Sequence, residues 1–215
     1  MPVICPTITG ASTDEQYRTQ MERIAPFAHR IQIDLTDGIF AAPRTINPEQ
    51  TWWPVGLQAD FHLMYKNPQS AVAALLEHGP HMLIIHAEAS GRFDPIARLC
   101  RKRNVKIGIA LLPNSHPASI VPALYHIDHV LIFSGDLGKF GGHADLDLLK
   151  KVDFLKNHKH DLEIGWDGGI NSQNIAQLVS GGVDVLNVGG FIQNADDPER
   201  AFHALERIAE ETDTT

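Results

Sequence analysis

Ile31-Gln32-Ile33-Asp34-Leu35-Thr36-Asp37-Gly38 is the stretch on which the reading of the whole chain turns. Ile31 to Leu35 has the β-branched and aliphatic character of a strand, and Asp37-Gly38 supplies the turn that ends it. Side chains alternate along a strand, so Gln32 and Asp34 share one face while Ile31, Ile33 and Leu35 share the other. A carboxylate on a strand otherwise built for burial needs a partner, a metal or a chemical task. Bonding to neighbouring backbone N–H groups is the structural alternative for Asp34, and this stretch alone leaves both open.

The same strand-then-turn unit recurs on either side. Strands are expected at Val3–Ile8, Leu57–Met64, Met82–His86, Lys106–Leu112, His129–Phe133, Glu163–Asp167 and Val183–Val188. Between them the spacing turns helical. Ser12 with Glu15 forms a capping box ahead of Tyr17, Met21 and Ile24. Asn47-Pro48 opens a short helix towards Trp53, and Asn67-Pro68 opens the next one in the same way. Ile96, Leu99 and Cys100 mark a helix, and a helical segment runs from Pro117 towards Tyr125. Leu146, Leu149, Val152 and Phe154 mark another, Asn171 caps one that ends at Gly181-Gly182, and Asp197-Pro198 opens the last, frayed after Glu211. Strand-helix alternation with short links implies a parallel sheet. Eight units within 215 residues fit a single (β/α)8 barrel domain over residues 1–215. An open doubly wound sheet is the alternative, but no GxGxxG turn follows the first strand.

Composition narrows the function. Hydrophobic residues make up 43% and charged residues 20%, the profile of an ordinary globular protein. Net charge is −8, from 18 basic and 26 acidic residues, and no basic cluster stands out. Lys150-Lys151 and Arg101-Lys102-Arg103 are short and read as solvated helix faces, so nucleic acid is not an expected partner. Cys5 and Cys100 lack CxxC spacing, which argues against a disulfide or zinc framework. No apolar run reaches membrane-spanning length and the N-terminus lacks a signal pattern, so a cytoplasmic protein with no membrane partner is expected.

Polar residues gather where the strands end. Thr7, Gln32, Asp34, His62, His86, Asn114, Ser134, Asp167 and Gly189-Gly190 all fall at C-terminal strand ends, which converge on one mouth of such a barrel. Loops bearing Gly141-Gly142, Gly168-Gly169 and Gly189-Gly190 follow strands six, seven and eight. Glycine lets backbone N–H groups approach an anion, so these loops suit a phosphate; plain turn chemistry is the alternative. Asp34 and Asp167 come from strands two and seven, far apart around the rim. Facing each other across a cavity, they suit base and acid on opposite faces of a substrate.

These segments, taken in order, resemble the ribulose-phosphate 3-epimerase family from Val3 to about Ala201. The likeness is carried by Cys5-Pro6-Thr7-Ile8, Asp34-Leu35-Thr36-Asp37-Gly38, Asp60-Phe61-His62-Leu63-Met64, His86-Ala87-Glu88-Ala89, Phe140-Gly141-Gly142, Asp167-Gly168-Gly169-Ile170-Asn171 and Val188-Gly189-Gly190. The resemblance implies a TIM barrel that interconverts D-ribulose 5-phosphate and D-xylulose 5-phosphate. It implies proton transfer by Asp34 and Asp167, which with His62 would hold a divalent metal of the zinc, iron, manganese or cobalt class. It makes Thr7, His62, Gly141, Gly142, Gly168, Gly169, Gly189 and Gly190 the contacts for a phosphorylated ketose.

This chain also departs from the family pattern. Gln32 stands where the family has a metal-binding histidine, so it is at best a weaker ligand. Thr7 replaces a serine, Thr36 a methionine and Gly190 a serine. The loop after strand six is one residue longer, and its Lys139 faces either the phosphate or solvent. Two alternatives follow: a phosphosugar-binding homologue that has lost catalysis, or a phosphosugar lyase or decarboxylase on the same barrel. The lyase reading is weakened because such relatives carry a lysine in the second-strand motif and none lies between Ile31 and Gly38. Trp52 and Trp53 beside Pro54 suggest a homo-oligomer, with core packing as the alternative for either ring.

Overall fold

Eight short strands pair in parallel in chain order, and the last closes on the first. The computed structural model describes residues 1–137 and 141–214. The strands are β1 (Val3–Ile8), β2 (Arg30–Thr36), β3 (Gln58–Met64), β4 (Met82–His86), β5 (Lys106–Leu111), β6 (His129–Phe133), β7 (Glu163–Asp167) and β8 (Val185–Val188). Outside them lie α1 (Asp14–Ile24), α2 (Gln69–Leu76), α3 (Phe93–Lys102), α4 (Leu149–His158), α5 (Ile175–Ser180), the four-residue α6 (Gly190–Gln193) and α7 (Pro198–Asp213). The architecture is the TIM barrel expected from the sequence.

Alternation along β2 explains why the barrel forms as it does. Ile31, Ile33 and Leu35 point outward and share a hydrophobic cluster with Tyr17, Met21 and Ile24 of α1. Each such side chain, fully buried, contributes about 1.5–3 kcal/mol. Arg30, Gln32 and Asp34 point inward. Arg30 and Gln32 bond to Glu163 and Asp167 of β7, which is not a neighbour of β2 in the sheet, so these contacts cross the lumen.

The lumen is filled in levels. At the bottom the Arg30 guanidinium grips Glu163 through two nitrogens (2.8 and 3.0 Å) and Asp60 through a third (2.6 Å). His129 and His81 complete this cluster on Glu163 and Asp60, at 2.8 and 2.6 Å. Gly165 exists to admit it: a Cβ there would lie 2.5 Å from His129 Nε2. An apolar plug of Met82, Ile84, Ala110 and Leu131 starts level with Asp60 and rises above it. The polar mouth lies on top.

The bottom cluster dictates a pH response. Burial opposes the Glu163 charge, but bonds from His129 and Arg30 outweigh it and hold the carboxyl below the usual range. A depressed folded value gives stability that is present above the unfolded value near 4.5 and lost as pH falls below it. Melting temperature is therefore expected to fall steeply below that pH. Glu163→Gln should be less stable at neutral pH and show a shallower acid slope in the same melts.

Several local details differ from the sequence reading. The cap of α1 is Thr13, whose hydroxyl accepts from Gln16 N–H, while Ser12 N–H donates to Gln16 Oε1; the motif sits one residue on. Asn47-Pro48 opens only a 3-10 turn, Pro48–Gln50, because Thr51 is already extended. Pro68 itself precedes α2, with no side-chain cap. Asn174 rather than Asn171 precedes α5, and α7 continues to Asp213. Lys151 is buried, not solvated: its Nζ donates to the carbonyls of Leu112 and Pro113 at 2.7 and 2.8 Å, just beyond β5. Trp53 packs edge-on against Phe61, and Trp52 is 42% exposed beside Tyr17. Both cysteines are free and buried. No helix among the described residues is long and apolar enough to cross a membrane.

Candidate active site

Parallel pairing aligns Asp34 with His62, and Asp167 with Asn187, at the mouth end of the lumen. β2 and β7 are separated by only two strands in the closed ring, so the two aspartates are closer than opposite rims would be. A single nitrogen, Gln32 Nε2, donates to Asp34 Oδ1 at 2.9 Å and to Asp167 Oδ2 at 2.6 Å. His62 Nδ1 lies 3.1 Å from Asp34 Oδ1 and 3.5 Å from Asp167 Oδ2. Asp34 Oδ2 accepts from the Thr9 hydroxyl at 2.7 Å, and Thr9 Oγ1 is 3.2 Å from Thr7 Oγ1. α1 sets that hydroxyl, because Gln20 bonds both the N–H and the carbonyl of Thr9.

The carboxylate bound by backbone is Asp37, not Asp34. Asp37 accepts from the N–H groups of Ile39, Phe40 and Lys66. Partial burial opposes its charge, but these bonds hold the carboxyl below the usual range. Among the described residues, Asp34 accepts only from side chains. Asp167 differs again: burial and the adjacent Asp34 charge push its carboxyl up.

A chain of rings supports the carboxylates from the side of β3 and β4. His62 Nε2 meets His86 Nε2 at 2.8 Å, and His86 Nδ1 meets Glu88 Oε2 at 3.3 Å. Glu88 Oε1 accepts from Leu112 N–H at 3.1 Å and from the Ser115 hydroxyl. Burial opposes charge on Glu88, yet these bonds hold its carboxyl at about 2. Burial drives His86 down to about 4, so the ring is neutral at pH 7. With Glu88 accepting from Nδ1–H, His86 Nε2 is the acceptor and His62 must donate from Nε2. His62 Nδ1 is thereby turned to the carboxylates. Burial disfavours its charge, but the bonds to Asp167 and Asp34 lift it to about 9.

Asp34, His62 and Asp167 offer three ligand atoms within 4.8 Å of one another, two hard oxygens and an imidazole nitrogen. That donor set fits a divalent cation. Gln32 Oε1 is buried with no partner among the described residues, and turning the amide would present a fourth oxygen. The residues present therefore fit the metal implied by the family pattern, with Gln32 as the weakest member.

Above the carboxylates, Thr7, Gly141, Gly168, Gly169, Gly189 and Gly190 line one cavity with Asp34, Asp167 and Asn187. Gly168 has φ +118°, and a Cβ there would run into the backbone of Gly135 and Ser134. Trp166 Nε1 pins the turn by donating to Gly168 O at 3.1 Å. The N–H groups of Gly169, Ile170, Gly190 and Phe191 have no acceptor among the described residues, which suits an anion.

Some expected residues lie elsewhere. Gly142 does not line the cavity; it packs on Gly135, where a Cβ would sit 3.2 Å from that Cα. His62 and Gln32 are fully buried beneath the carboxylates rather than on the cavity wall. Asn114 is exposed, and Ser134 is spent on the backbone of His143 and Asp145. Lys139 and Phe140 lie outside the described residues. Thr9, Glu88 and Asn187 also stand at this site, and the sequence does not single them out, although Glu88 stands in the quoted segment after β4.

The family model described as the ribulose-phosphate 3 epimerase family matches residues 3–192. The chain is 31% identical over 216 residues to the ribulose-phosphate 3-epimerase of Mycobacterium leprae, covering 97% of this chain and 95% of that one. It is 30% identical over 192 residues to the enzyme of that name from Helicobacter pylori (strain J99), covering 86% and 87%. Among solved structures, 3-hexulose-6-phosphate synthase from Salmonella typhimurium superposes with a TM-score of 0.74 at 12% identity, covering 98% of this chain and 99% of that one. At that identity the likeness shows the fold alone.

Proposed function

The chain belongs to the ribulose-phosphate 3-epimerase family and is an isomerase acting on carbohydrates; from that premise we propose that it interconverts D-ribulose 5-phosphate and D-xylulose 5-phosphate. The observation that carries this reading is the meeting of two carboxylates from β2 and β7 under a cavity rimmed by glycine backbone. In it, Asp34 takes the C3 proton from one face of the sugar, and Asp167 delivers its own to the other. The electron pair left at C3 delocalises onto the C2 oxygen as an enediolate, and the roles reverse in the return direction. A divalent cation held by Asp34, His62, Asp167 and the Gln32 carbonyl would stabilise that developing charge. His86 and Glu88 keep His62 facing the pair, while Thr9 holds Asp34. The free N–H groups of the β7 and β8 loops receive the phosphate.

Incubation with D-ribulose 5-phosphate in deuterated water, with added divalent metal, tests this. Deuterium at C3 of the epimer formed is the expected result. Carbon–carbon cleavage of the ketose without C3 label would replace it with the lyase reading. Binding without exchange would leave a phosphosugar-binding homologue, the reading favoured by an amide nitrogen between the two carboxylates.

A further inference from the structure

We propose that Asn187 is a specificity-determining residue whose amide donates a hydrogen bond to the C4 hydroxyl of the bound ketose phosphate; this rests on the epimerase reading above. Asn187 is 3% exposed, and its Nδ2 has no hydrogen-bond partner among the described residues. The other buried polar atoms in that condition belong to Arg23, Gln32, His129 and Gln193, none of which lines the cavity of the two aspartates. Asn187 does line it.

No acceptor among the described residues takes the Nδ2 hydrogens. β8 alternates in the ordinary way: Leu186 and Val188 join the outer hydrophobic cluster, while Val185 and Asn187 face the lumen. An apolar side chain such as that of Val185 would fill the position without stranding a donor. A buried donor without an acceptor is unfavourable, so its retention at a cavity wall points to an acceptor arriving with the ligand.

Position along the strand says which acceptor. Asn187 is the register partner of Asp167, which reaches the reacting carbon in this reading. Two residues further along the same strand direction, about 6–7 Å, Gly189 and Gly190 line the phosphate end. On a ketopentose 5-phosphate, the hydroxyl between C3 and the phosphate ester is the one on C4.

The test pairs a protein change with a substrate change. The kcat/KM for D-ribulose 5-phosphate and for its 4-deoxy analogue is measured on the wild-type protein, Asn187→Val and Asn187→Ser, with inorganic phosphate affinity by calorimetry. The wild type should prefer the hydroxylated substrate by about tenfold or more, because a site built to bond a hydroxyl rejects the analogue without it. Asn187→Val should bring that preference to within about twofold, with phosphate affinity unchanged and Asn187→Ser in between. An unchanged preference in Asn187→Val overturns the proposal, as does a loss shared equally by both substrates. Should Asn187→Val not fold, the preference of Asn187→Ser decides in the same way. A wild type that neither turns over nor binds D-ribulose 5-phosphate overturns the epimerase reading itself, visible before any variant is compared.

Discussion

Asp167→Asn is expected to lower epimerisation by about a thousandfold, the range over which positioned acid–base groups act, while phosphosugar affinity changes little. Asparagine keeps the shape and an oxygen that accepts from Gln32 Nε2, which now lies 2.6 Å from Asp167 Oδ2. It has no proton to give. The variant also leaves Asp34 with its Thr9 and His62 contacts, at 2.7 and 3.1 Å. One face of the sugar would therefore still be served. In deuterated water, Asp167→Asn should wash deuterium into C3 of one epimer without forming the other, and Asp34→Asn should do so only from the opposite epimer. That crossed pattern separates two opposed groups from one group acting on both faces. Full inversion in either variant would remove the paired-carboxylate mechanism.

The parts visible in the sequence are those governed by local spacing. Period-2 alternation from Ile31 to Leu35 puts Gln32 and Asp34 in the lumen, and both are there, bonded across it to β7 or to neighbouring strands. Asp167-Gly168-Gly169 likewise predicts a turn, and φ values of +118° and +71° bear that out. What the sequence hides depends on which strands meet. His62, His86 and Glu88 are separated by about two dozen positions or less, yet only pairing of β3 with β4 lines the rings up end to end. Lys151 looks like one more surface lysine until α4 is laid over the end of β5, where two carbonyls claim its ammonium. The Arg30–Glu163–Asp60 cluster is hidden for the same reason, since its members are 30 and 133 positions apart. Asn187 gives no signal of its own, because a single amide in an apolar strand looks alike whether it bonds to backbone, a neighbour or a ligand.

Gln32→His is the second substitution expected to have a large effect, and it acts on the metal. In the structure Gln32 gives both Nε2 hydrogens to the carboxylates that would hold a cation, and its Oε1 points to no donor among the described residues. An ion entering there requires the amide to turn, so two charge-assisted hydrogen bonds are exchanged for one amide oxygen ligand. Imidazole needs no such exchange and is a better partner for zinc-class ions. Gln32→His should therefore bind zinc or cobalt more tightly by roughly tenfold or more, read by chelator competition independently of turnover. Its melting temperature should also respond more strongly to added metal, since a ligand that binds only the folded state stabilises by RT ln(1 + [L]/Kd). Stripped of metal, the same variant should melt lower than the wild type, because the amide no longer bridges the two carboxylates. Equal affinity in the two proteins, with equal response of the melts, would mean that Gln32 takes no part in holding the ion and that its bridge between Asp34 and Asp167 persists when metal is bound.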